Sequence, residues 1–351
     1  MAALLVVLAG CAGAPPAPKE VKMVWPPPPL TARIRFERSI TSEKDLNGDT
    51  TFTEGLAAFL TGEKMPSGRI AEPAGLAVSE DGDRLYVADM MQQAVFAFDF
   101  KNKKFTKFAD VGVPSGIALD AQENVYVVDT GRKTIGVFGR DGKQINEFSD
   151  PDLSRPNGLA IDKDRARMYV VDAGGRGAKE HNVKIYDLAG KRIGAIGGAP
   201  GGDFGQFNYP TYVTIDAAGN VYVSDTLNSR VQKFDPAGKF VTSFGQLGTN
   251  WGEFDKPKGV AIDSFGNVYV VDGGWSNVQI FNPKGQMLLF FGGRGPVPGM
   301  MKNPLAIAID KRNRIYVGDY LNHRIEVYDL VNTTASDSYL SPPPNPSGAK
   351  K

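Results

Sequence analysis

The 351-residue chain sets 40 Lys and Arg against 39 Asp and Glu, a formal net charge of +1. It therefore lacks the positive field that steers proteins to nucleic acid, and no nucleic-acid partner is expected. One cysteine and two histidines exclude a disulfide framework, a CxxC zinc site and a CxxCH haem attachment built from the chain's own residues. Stability must come from packing, and no cofactor is expected.

In chain order, the first feature is "LLVVLAGCAGAPPAP", an apolar run ending in small residues immediately before Cys11. The run is at the short end for a signal segment. It resembles the lipobox of bacterial lipoproteins. That resemblance implies a signal segment over 1–10, a diacylglyceryl group on Cys11 that anchors the chain to a membrane, and, with Ala12 following, a place in the cell envelope at the outer membrane. Residues 11–32 are proline-rich, favour extended conformations and predict a spacer between an anchor and a folded body. No stretch is long and apolar enough to span a bilayer.

The segment "ARIRFERSI" predicts an isolated strand over 33–40 with no partner of its own, its charges suited to a sheet edge. A connection follows over 41–70. Within it "DLNGDT" resembles the start of a calcium loop, but Thr50 stands where glycine is required and Leu56 where the bidentate acid belongs. The segment predicts a turn before a short helix, "FTEGLAAFLTGE".

Six similar units occupy 71–330. Each predicts a strand, a turn, a second strand ending in Asp, a polar loop, a third strand, a glycine-bearing turn and a fourth strand. The second-strand aspartates are Asp89, Asp129, Asp172, Asp225, Asp272 and Asp319, at intervals of about 40 to 50 residues, the period of propeller blades. Interiors such as VYVV are apolar on both faces, as expected where sheets cover one another. The sixth unit stops after its third strand, "RIEVYDL", and the chain runs into a polar, proline-rich tail over 331–351 that predicts disorder. The orphan strand at 33–40 supplies the missing fourth strand and closes the ring.

The units, of the form "P-x-G-[LIV]-A-[LIV]-D … VYVxD … R-[VI]-x-x-[FY]", resemble NHL repeats. The whole chain is similar to bacterial six-bladed NHL-repeat β-propeller lipoproteins. The fold expected is all-β: a six-bladed β-propeller of NHL type, four antiparallel strands per blade, with the N-terminal strand closing the last blade. Six copies of one aspartate argue for scaffolding, each carboxylate accepting backbone N–H groups of the following loop.

Function is then sought where blades deviate, on the face bearing the loops between second and third strands and between blades. The candidates there for contact with a protein, peptide or glycan ligand are Arg176 and His181 in the insertion of blade three, Tyr212, Trp251, Trp275, Tyr320 and His323. Some related propellers are lyases or lactonases that hold Zn or Ca where inner strands begin. The matching positions here are Ala74, Ser115, Asn157, Thr211, Lys258 and Leu305. Of these only Asn157 is a plausible oxygen ligand, and Lys258 opposes a cation. The reading favoured is a lipid-anchored binding or scaffolding module of the cell envelope; the alternative is a diverged metal-dependent lyase or hydrolase.

Overall fold

The computed structural model describes residues 23–46, 69–175 and 177–334. Cys11, the segment at 1–10, the helix expected from "FTEGLAAFLTGE", Arg176 and the tail from residue 335 onward lie outside the described residues.

Six sheets form, and in each the strands follow one another antiparallel. Blade one comprises Pro73–Val78, Arg84–Asp89, Ala94–Asp99 and Lys104–Asp110. The inner strands of the next five begin at Pro114, Pro156, Pro210, Pro257 and Pro304. Each inner strand packs on that of the next blade, and that of blade six packs on that of blade one, so the ring is closed. Three second strands, Val125–Asp129, Val221–Asp225 and Val268–Asp272, are buried along their whole length, and the other three are buried but for their first residue, an arginine. That burial accounts for their continuous Val and Tyr: β-branched and aromatic side chains fill a sheet covered on both faces.

Proline opens every inner strand because its missing N–H costs nothing at a first strand residue. Immediately after it, the register slips in all six blades. Such a bulge re-aims side chains at the rim of the ring. Glycine follows in four blades because the neighbouring backbone occupies the space of a side chain. A Cβ on Gly75 would lie 1.9 Å from the Ser115 carbonyl oxygen, and one on Gly116 2.3 Å from that of Asn157.

Blade six joins the two ends of the described chain. Its strands Pro304–Ile309, Arg314–Asp319 and Arg324–Leu330 are completed by Ile34–Ile40, which pairs antiparallel with the third, Phe36 opposite Tyr328 and Ile40 opposite Ile325. Beyond it Val24–Trp25 adds a fifth strand. Part of the proline-rich segment is thus sheet rather than spacer. The reason is Trp25, whose ring meets Phe291 and Tyr328 at centroid distances of 6.1 and 5.8 Å, while Phe36 meets Tyr328 at 5.6 Å. Each such aromatic pair is worth about 0.5–1.5 kcal/mol beyond its buried area.

Polar contacts reinforce this closure. In blades four and five the third strand carries Gln232 and Gln279, whose side-chain oxygens accept the Gly205 and Gly252 N–H groups at 2.9 and 3.0 Å. Blade six has Glu326 there. It accepts from Gly299 at 3.2 Å, from the Ser39 hydroxyl of the closing strand at 2.6 Å, and pairs with Arg324 at 2.6 Å. Burial nevertheless pushes its carboxyl up to about 7, against the pull of Arg324 and Ser39.

Deleting residues 23–40 exposes the edge of Arg324–Leu330 and the apolar surface under Trp25 and Phe36. The expected result is aggregation or loss of the cooperative melting transition, read by light scattering and circular dichroism. A raised carboxyl pKa contributes stability at low pH that is lost as pH rises through the folded value. Glu326→Gln, which copies blades four and five, should therefore fold. Its melting temperature should gain on that of the parent chain by a few degrees between about pH 5 and about pH 8. An advantage that shrinks over this range contradicts the reading.

Candidate functional site

The loops crossing one face of the ring are organised by the six aspartates. Asp129 accepts the N–H groups of Gly112 and Val113, which lead into the inner strand of its own blade, at 2.9 and 3.2 Å, and that of Arg132 in the following loop at 3.0 Å. Asp89 does the same for Ala71, Glu72 and Gln92, and Asp272 for Asp255, Lys256, Gly274 and Trp275. The bonds therefore reach the following loop and also the segment arriving from the preceding blade.

Side chains replace some backbone donors in the other blades. Asp225 takes Asn208 N–H, the Asn228 amide and Arg230, and Asp319 takes Lys302 N–H and the Asn322 amide. Asp172 takes Ser154 and Arg155 N–H and a buried Lys184 ammonium at 2.6 Å. Burial alone would raise the Asp172 carboxyl; Lys184 and the two backbone donors outweigh it and hold it below the usual carboxylate range.

Several residues expected to meet a ligand also hold blades together. His181 is buried and its Nδ1 accepts the Tyr209 N–H at 3.0 Å; the His323 Nδ1 bonds the Ala71 carbonyl. By register both stand one residue before the partner of the clamping aspartate, the place held by Ser229 and Ser276 in blades four and five, whose hydroxyls bond the approach to the next inner strand in the same way. The histidines are thus ties between blades. Tyr212 stands where four blades have glycine, and its hydroxyl donates to the Ala74 carbonyl of blade one, opposite it in the ring, at 2.7 Å. Trp251 packs edge-on against Phe290 at 5.2 Å, on the flank of blade five rather than at the centre. Burial, and then neighbouring Glu72, push the Tyr320 phenol up to about 12.

Trp275 behaves differently. Asn228 and Asn322 hold the equivalent place in blades four and six, and their amides donate to the Gly201 and Gly295 carbonyls at 2.9 Å. The Trp275 indole N–H makes the matching bond to Gly248 at 3.1 Å, while 41% of the residue stays exposed. One position earlier in the same loops, Leu227 and Leu321 are 57% and 42% exposed, and Met91 of blade one is 63% exposed. These three were legible as one recurring apolar position two residues after the clamping aspartate, which the search for aromatic and charged deviations passed over.

Inside the ring a channel of ≈ 230 Å³ is lined by the inner strands, including Leu76, Leu119, Ile161, Ile215, Ile262 and Ile309. Tyr212 crosses it at the loop face. At the other end Glu80 of blade one pairs with Lys163 of blade three at 3.0 Å and with Lys311 of blade six.

The residues at the inner-strand starts do not fit a metal centre. Ser115 and Thr211 pair their hydroxyls with Thr130 and Thr226 at 2.9 and 2.7 Å, Ala74 and Leu305 offer no donor, and Lys258 adds a cation. Among the described residues no group of three or more His, Cys, Asp or Glu side chains is placed to hold a metal ion.

Comparison with known proteins agrees with this architecture. Residues 62–152 match the SMP-30/gluconolactonase/LRE-like region, 207–234 the NHL repeat, and 246–282 a β-propeller repeat. The chain is a six-bladed β-propeller built of NHL-type and SMP-30/gluconolactonase-like repeats. Among curated proteins it is 27% identical over 151 residues to protein brain tumor of Drosophila melanogaster, covering 40% of this chain and 14% of that one. It is 30% identical over 186 residues to a probable peptidyl-alpha-hydroxyglycine alpha-amidating lyase of Caenorhabditis elegans, covering 52% of this chain and 46% of that one. It thus spans less than half the length of either relative. A solved gluconolactonase from Xanthomonas campestris superposes with a TM-score of 0.58 at 16% identity, covering 84% of this chain and 98% of that one. At that identity the likeness is one of fold.

Replacing Asp129 by Ala leaves three backbone donors at the crossing without an acceptor. It should cost about 3–5 kcal/mol, measured by urea unfolding. Asp110→Ala, at an exposed outer-strand end, should stay within about 0.5 kcal/mol.

Proposed function

We propose that this propeller is a binding module that takes a protein, peptide or glycan on its loop face, and that a lipid on Cys11 holds it to a membrane of the cell envelope. The observation that carries the binding reading is Trp275. Where neighbouring blades use an asparagine, blade five keeps the scaffold hydrogen bond and adds a large exposed ring. Amphipathic aromatic side chains of this kind dominate interface energetics. Leu227, Leu321 and Met91 supply apolar surface at the same level of three other blades.

Two of the similar proteins are, by name, a lyase and a gluconolactonase. A metal-dependent lyase or hydrolase is supported less well here, because Lys258 stands in the ring of inner-strand starts and the ring's hydroxyls are committed to each other.

The test uses the repeat as its own control. Trp275→Asn restores the residue of blades four and six, so it should leave the melting temperature unchanged. Binding of a partner captured from envelope extracts should weaken by at least about thirtyfold, the equivalent of about 2 kcal/mol. Lys101→Ala, in a turn of the opposite face, should leave binding unaltered. Equal loss in both variants overturns the assignment of the face.

For the anchor, Cys11→Ala should move the protein from the membrane fraction to the soluble fraction of a Gram-negative host and abolish incorporation of labelled fatty acid. The melting curve of the propeller should not change. A parent chain that takes up no label refutes lipidation and leaves the binding reading standing.

A further inference from the structure

We infer that the centre of the loop face is an oxyanion site, in which Lys258, Lys256 and Arg155 receive a carboxylate or phosphate group. The inference rests on the binding reading above and deepens it by naming the chemistry taken at the centre of that face.

The argument begins with a broken pairing. The residue after each inner-strand proline lies beside the residue after the clamping aspartate. In blades two and four these are hydroxyl pairs, Ser115 with Thr130 at 2.9 Å and Thr211 with Thr226 at 2.7 Å. Blade five has Lys258 and Gly273 instead. A Cβ on Gly273 would lie 3.4 Å from the Lys258 Cγ, so the lysine stem runs alongside the place where blade four has a threonine. The Lys258 stem is half-buried, and its ammonium meets no hydrogen-bond acceptor or carboxylate partner among the described residues.

Two further cations stand at the residue before proline. The backbone N–H groups of Arg155 and Lys256 are held by Asp172 and Asp272 at 2.7 and 3.1 Å, which fixes where their side chains leave the backbone. The Arg155 guanidinium lies over the Tyr209 ring, 5.1 Å from its centroid. Neither Arg155 nor Lys256 has an ion-pair partner among the described residues, although most arginines of the molecule do. Burial, then Lys256, then Arg155 push the Lys258 ammonium down to about 8; Asp272 pulls the other way and does not compensate. In a chain whose net charge is only +1, this is a local excess of positive charge drawn from blades three and five. Tyr212, crossing the channel to Ala74, lies across the mouth beside it. An anion bound there would supply what the three cations lack, through charge-assisted hydrogen bonds.

The test is calorimetric titration of the full chain with sulfate, inorganic phosphate and citrate at pH 7 and low ionic strength. Saturable binding of at least one anion is expected, weakened about tenfold or more by Lys258→Met and by Arg155→Gln. Preference for phosphate over citrate would name a phosphate-bearing ligand, and the reverse a carboxylate. Sulfate does not titrate in this range, so its affinity should fall as pH rises from about 7 to about 9.5 and Lys258 loses its proton. Lys258→Thr copies blade four and keeps the test open should the methionine variant fold poorly. Absence of saturable binding by all three anions, or equal affinity in the parent and both Lys258 variants, overturns the inference. Trp275→Asn should leave sulfate affinity unaltered, so failure of the anion site and failure of the docking face are read separately.

Discussion

A backbone that must leave the outer strand of one blade and return to the centre for the next crosses the face of the ring with N–H groups that no strand can pair. The second-strand aspartate answers this constraint. Its two oxygens accept the N–H groups of the incoming segment, as Gly112 and Val113 show at Asp129, and its lone pairs also reach the loop toward the third strand. An unsatisfied buried donor costs about 1–3 kcal/mol, so each crossing left without its carboxylate would destabilise the ring more than most surface contacts stabilise it. Six crossings need six acceptors, which is why the residue recurs and why it is uninformative about ligands.

The same period made much of the fold legible. Unbroken apolar second strands, a terminal aspartate and a sixth unit short of one strand lead to a ring closed by the segment at 33–40, and Ile34–Ile40 does pair with Arg324–Leu330. Val24–Trp25 was hidden inside a proline-rich stretch. Its pairing depends on Trp25 reaching Phe291 and Tyr328, contacts far away in sequence that composition does not reveal. The histidines illustrate a different limit. In a polar loop a histidine looks like a free ligand, yet His181 and His323 occupy a place where serine also serves, because imidazole and hydroxyl can both bond a backbone group of the next blade. The insertion of blade three obscures that equivalence until strand register aligns Asn182 with Arg230 as partners of Asp172 and Asp225. Tyr212 is legible in the sequence as a departure from glycine, whereas its partner, Ala74, lies across the ring.

Once blades are aligned by register, a departure can be sorted by what it does to the bond its equivalents make. Glu326 keeps the glycine N–H of Gln232 and Gln279 and adds a charge that burial opposes. Trp275 keeps the carbonyl bond of Asn228 and Asn322 and adds exposed area. Lys258 with Gly273 gives up the hydroxyl pair altogether. The first serves closure; the other two add to the face something the scaffold does not require.

The channel points to the same face by a separate route. Both of its ends are crossed by side chains from opposite or next-but-one blades: Tyr212 to Ala74 at one, Lys163 to Glu80 at the other. At the second end, hydrogen bonds from Lys311 and Lys163 hold the Glu80 carboxyl below its ordinary value, so the bridge stays charged near neutrality. A ligand entering the ring would have to break one of these links. Resting on the loop face beside Lys258 and Trp275 breaks neither, and charge is divided there. Arg155, Lys256 and Lys258 belong to blades three and five, whereas Glu72 of blade one lies beside Tyr320 of blade six. An acidic partner of the kind proposed would be oriented as well as held, its anion over blades three to five and its apolar surface against the exposed ring of Trp275.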